Sequence, residues 1–123
     1  MTIATGQQAL AADILASDRH FTELAGNDNH EASVAATWED WDLSTIVPAK
    51  TKYVLVQLRN GYTSAKIGGA RKNGSTDDRK FSVPASGNVC LLTEVDANRV
   101  IEVYAETVTD GPDFGILGYW AEA

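Results

Sequence analysis

Lys52-Tyr-Val-Leu-Val-Gln-Leu-Arg59, followed at once by Asn60-Gly61 and then by Tyr62-Thr-Ser-Ala-Lys-Ile67, is the stretch that decides the fold. Side chains alternate between the two faces of a strand, so Tyr53, Leu55 and Gln57 point one way and Val54, Val56 and Leu58 the other. Both sets are mostly apolar, which marks a strand covered on both sides and central in its sheet. Asn-Gly supplies the two positive-φ residues of a type I′ turn, so a β-hairpin running from Lys52–Arg59 into Tyr62–Ile67 is predicted.

Outward from this stretch, further strands are predicted at Trp38 to Leu43, Lys80 to Val83, Asn88 to Val95, Val100 to Thr107 and Phe114 to Trp120. Turn-forming clusters separate them: Arg71-Lys-Asn-Gly74, Pro84-Ala-Ser-Gly87, Asp96-Ala-Asn98 and Asp110-Gly-Pro-Asp113. Gly68-Gly69 adds a turn or bulge candidate. Short strands spaced by turns, with no long helix among them, predict a mainly β fold, an antiparallel sandwich or jelly roll of about seven to eight strands over residues 36–123.

The first 35 residues have a different period and are expected to form a helical arm and linker. Thr5 to Ala25 is rich in Ala and Leu, and Thr5-Gly-Gln-Gln8 fits a capping box. Leu10, Ile14, Phe21 and Leu24 are spaced by four, seven and three residues, one stripe returning every 3.5 residues, with Ser17 in the remaining position. So short a helix is unstable alone, so its stripe is expected to dock on the chain's own β domain or on a partner. Gly26-Asn-Asp-Asn29 ends it, and His30 and Glu31 fall in a linker expected to be solvated.

Seventeen acidic residues against ten basic give a charge of −7, a field that repels phosphate backbones and anionic lipid, so neither nucleic acid nor membrane is an expected partner. Arg71, Lys72, Arg79 and Lys80 form a basic stretch, but Asp77 and Asp78 interrupt it and no aromatic interleaves it. Cys90, the single cysteine, rules out an internal disulfide and sits in an apolar run that predicts burial. Met1 to Ala12 carries no positive charge or long apolar run, which predicts a product without a secretory leader.

No catalysis, cofactor or metal is expected. The two histidines, His20 and His30, both precede the β domain, and no nucleophile, zinc, phosphate-loop or dinucleotide motif occurs. Acidic side chains such as Glu39, Asp40 and Asp42 are plentiful, but short loops leave little room for a catalytic cleft. Asn73 to Asp78 and Asp110 to Asp113 crowd oxygen atoms without EF-hand spacing. Trp38, Trp41, Tyr62, Tyr104, Tyr119 and Trp120 are candidate interface or sugar-stacking aromatics. Trp38 and Trp41, three apart on a strand, must face opposite ways, as must Tyr119 and Trp120, so part of this set is expected in the core.

Ala4-Thr-Gly-Gln-Gln-Ala-Leu-Ala-Ala-Asp-Ile14 resembles the N-terminal segment of accessory virion proteins of tailed phages. Gly69 to Arg79, Val95 to Tyr104 and Phe114 to Trp120 resemble their small β-sandwich domains. The resemblance implies a non-catalytic virion protein assembled in the host cytoplasm, often as a homotrimer. It would be a capsid decoration, cement or head-fibre protein, anchored to its own subunits or the major capsid protein through Leu10, Ile14, Phe21 and Leu24. The alternative is a tail-fibre or carbohydrate-binding module meeting the host through exposed aromatics.

Overall fold

The structure, a computed structural model, describes residues 20–24 and 29–122. Eight strands follow in order: β1 (His20–Glu23), β2 (Glu39–Asp42), β3 (Thr51–Asn60), β4 (Lys66–Lys72), β5 (Lys80–Val83), β6 (Gly87–Glu94), β7 (Val100–Ala105) and β8 (Asp113–Ala121). They make two four-stranded antiparallel sheets, β1-β8-β3-β6 (sheet A) and β2-β7-β4-β5 (sheet B), with the expected sandwich core between them. β3 is central, paired with β6 and β8, and its inner face buries Val54, Val56 and Leu58. The same core takes in Ile101, Val103 and Ala105 of β7 and Phe114 and Ile116 of β8.

The predicted hairpin after β3 is not formed. β4 begins at Lys66 and pairs with β5 and β7, so residues 61–65 carry the chain from one sheet to the other. Neither Asn60 nor Gly61 adopts a positive φ. Instead the buried Asn60 amide donates from Nδ2 to the carbonyls of Ser64 (2.9 Å) and Val83 (3.1 Å), and its Oδ1 accepts the Tyr62 N–H at 2.9 Å. An Asn that bonds the backbone two residues on makes a turn of its own, which competes with the type I′ geometry.

Gly68 and Gly69 are likewise no turn but the middle of β4. A Cβ at Gly68 would overlap the Pro112 ring, and one at Gly69 would overlap the Arg79 carbonyl, so the missing side chains admit close neighbours on both faces.

At the N-terminal side the expected helix gives way to strand: His20–Glu23 pairs with Gly118–Ala121. The Leu24 N–H continues the pairing to the Leu117 carbonyl at 2.9 Å. An open edge on β8 offers four residues more hydrogen bonds than a fraying helix end would, and tertiary pairing overrides propensity. The rest of the predicted helix, including Leu10 and Ile14, lies outside the described residues.

The predicted solvated linker also docks. His30 and Phe114 exchange backbone hydrogen bonds of 2.8 and 2.9 Å, and the Ala36 N–H then reaches the Ala105 carbonyl at 2.8 Å. Residues 29–36 thus cross from sheet A to sheet B, so strands and bridges begin well inside the stretch, 1–35, read as arm and linker.

Candidate interaction surface

Two outer faces remain once the core is made, and they differ in chemistry. On sheet B, the Arg71 guanidinium pairs with Glu102 at 2.6 Å and lies 4.1 Å over the Trp38 ring. Lys80 sits 4.8 Å over Tyr104, which packs against Trp38. Ring faces covered by cations in this way are closed to a stacking sugar.

The outer face of sheet A carries an apolar patch at one end, with Gln57, Arg59 and Asn88 following along the same face. Register places Phe21, Trp120 and Tyr53 in one cross-strand row, and Glu23, Gly118, Leu55 and Leu92 in the next. Phe21 and Trp120 rings meet at 4.6 Å, and the Phe21 ring occupies the space a Cβ on Gly118 would take. Leu92 is 52% exposed and Phe21 44%, while Tyr53, Leu55 and Trp120 are half-buried. Cys90 follows in the third row opposite Gln57 and is exposed, correcting the predicted burial: an even-numbered position on β6 points outward with Leu92. The apolar patch is rimmed by Glu23 and Glu94.

The structure therefore sorts the sequence candidates. Phe21 and Trp120 come together on the sheet A face. Leu24 instead packs against the core, as does Tyr119. Trp41 is core, 7% exposed, and Trp38 faces outward on sheet B, so the pair does split between faces. Tyr62 is exposed on the crossing segment, with Lys66 4.9 Å from its ring. Tyr53, Leu55, Leu92 and Cys90 were not among the predicted partner residues; for Tyr53 and Leu55 the doubly apolar alternation of Lys52–Arg59 was the signal, legible as centrality but not as an unpaired face.

His30 seals the flank between the sheets. Its ring stacks on Trp41 at 4.5 Å and 12°, and its buried Nε2 makes no hydrogen bond among the described residues, 3.8 Å from Oε1 of Glu39. Glu39 is engaged elsewhere, accepting from the Ser33 N–H (2.9 Å) and hydroxyl (2.7 Å). Burial lowers the His30 pKa, and the Glu39 charge only partly offsets it. The folded chain thus prefers neutral His30, while the unfolded chain takes up the proton near pH 6.5. Its contribution is complete above that pH and is lost as pH falls toward the lower folded value. Urea midpoints of the wild type should drop as pH is lowered through and below 6.5, and His30→Gln should flatten that slope.

Two adjoining hollows are lined by side chains that are mostly paired. One of about 570 Å³ is lined by Lys72, Asn73, Thr76, Asp77, Arg79 and Glu94, and one of about 450 Å³ adjoins it through Lys72 and Glu94. Lys72 and Glu94 are paired at 2.6 Å, Arg79 donates to the Leu92 carbonyl, and Asp96 accepts from Asn73, Asn98 and Val100. Among the described residues no group of three or more His, Cys, Asp or Glu could hold a metal ion, and no helix is long and apolar enough to cross a membrane.

No family model and no curated protein matches this chain. Two solved structures are similar: the coat protein of Tobacco streak virus in a C2 crystal form, at 13% identity and TM-score 0.47 over 84% of this chain and 83% of that one. The second is the coat protein dimer of the same virus, at 10% identity and TM-score 0.48 over 85% of each chain.

Proposed function

We propose that this chain is a non-catalytic structural subunit that works by protein–protein contact, self-associating through the outer face of sheet A as a component of a virion. The observation that carries the reading is the apolar row Phe21, Trp120 and Tyr53 with Leu55 and Leu92 beneath it, set against the ion-paired face of sheet B. Burying such a face releases about 25 cal/mol per Å² of apolar surface, and many copies in one shell multiply a modest contact into avidity. The resemblance to tailed-phage accessory proteins gives the contact its setting, a capsid decoration, cement or head-fibre protein, with the trimer as one stoichiometry to be measured.

Sedimentation velocity of the full-length chain over a range of concentrations tests this. Leu92→Lys should weaken self-association by about tenfold or more while changing stability by no more than about 0.5 kcal/mol, because the side chain is solvent-facing. Asp40→Lys, on the outer face of sheet B, should leave association unchanged. A wild type that stays monomeric at every concentration would contradict the proposal.

A further inference from the structure

The described chain starts on the edge of the apolar face itself, and the direction in which it arrives bears on what covers that face. β1 runs antiparallel to β8, with His20 beside Ala121 and Glu23 beside Gly118. β1 therefore enters beside Ala121, the last residue of β8, and its axis at His20 points off that end of sheet A. Residues 7–19 contain neither glycine nor proline, the residues that most readily reverse a chain.

Within those residues Leu10 and Ile14 are four apart, a spacing that puts both on one side of a helix. The seat is about 14 Å across, three strand spacings. Nineteen residues reach about 28 Å even if wholly helical. Length thus suffices to span a neighbour's face.

We propose that the N-terminal segment of one copy, residues 1–19, seats Leu10 and Ile14 on the sheet A face of a second copy, against Tyr53, Leu55 and Leu92. The proposal rests on the reading of that face as a self-association surface and adds what occupies it. Phe21 and Leu24 then serve a different purpose, since strand pairing and core contact make them the root of the segment and leave Leu10 and Ile14 to form the contact.

Cys90, one strand over from Leu55 and exposed on the same face, is the reporter. Full-length chain carrying Leu10→Cys with Cys90→Ser and a mass tag is mixed with untagged wild type and treated with a short bis-maleimide. A tagged–untagged cross-link is expected, and it should disappear when the untagged copy carries Leu92→Lys. Ile14→Cys with Cys90→Ser repeats the experiment with Leu10 intact, so a failure of the first variant to fold does not decide it.

If Leu10→Cys with native Cys90 cross-links within one copy and mixed copies do not, the segment folds back on its own sheet and the proposal is overturned. Copies that co-sediment without either variant cross-linking would also overturn it, leaving self-association standing. Copies that do not co-sediment at all would overturn both.

Discussion

Replacing Phe114 by alanine is expected to lower the stability of the folded chain by about 3–5 kcal/mol, the cost of a large ring removed from a packed interior. Phe114 is 0% exposed, and its backbone pairs with Leu58 on one side and His30 on the other. Its ring lies 6.2 Å from the His30 ring that seals the flank, so the cavity opens beside a buried nitrogen that makes no hydrogen bond among the described residues. Domains of this size are stable by only about 5–15 kcal/mol, so the urea midpoint should fall by a large fraction with m unchanged. Trp120→Ala removes a still larger side chain from the outer face of sheet A and should cost only about 1–2 kcal/mol, because the half-buried ring already meets solvent. Equal losses from the two substitutions would mean that inside and outside have been misassigned.

Asn60→Ala is the second large effect, about 2–4 kcal/mol, because three partners lose their hydrogen bonds in a site only 2% exposed. The Val83 carbonyl belongs to sheet B while Asn60 closes a strand of sheet A, so the amide ties the two sheets where the chain crosses. Gly61→Ala, by contrast, should cost less than about 0.5 kcal/mol, since φ is not positive and a Cβ there meets nothing within 4 Å. A type I′ hairpin would reverse this order, penalising the glycine substitution most. Chemical denaturation of the two variants side by side distinguishes a sheet crossing from a hairpin.

Local alternation made most of the sandwich legible. Lys80 to Val83 coincides with β5, and the predicted Asn88 to Val95 and Phe114 to Trp120 overlap β6 and β8 to within a residue at each end. Strand identity depends on side-chain period and turn residues, both of which are local. What escaped was decided by distant partners. Asn60-Gly61 has the composition of a hairpin turn, and only the Val83 carbonyl, reached across the sandwich, selects the other use of the asparagine. His20–Glu23 carries weak preference either way, and the unpaired edge of β8 determines its state. His30 reads as polar linker until Trp41 is placed beneath it. Leu92 and Tyr53 were legible as strand residues, but their sharing of a face with Phe21 and Trp120 follows from the pairing order β1-β8-β3-β6, which no local pattern encodes.

Association through one chosen face implies that concentration should shield that face and spare the other. Hydroxyl-radical footprinting of the full-length chain, dilute against concentrated, reads this at individual side chains: oxidation of Phe21, Leu92 and Trp120 should fall as copies meet, while Trp38, Ile67 and Tyr104 on sheet B stay at their dilute levels. Protection confined to the sheet B set, or none on either face in a sample that has associated, would contradict the account.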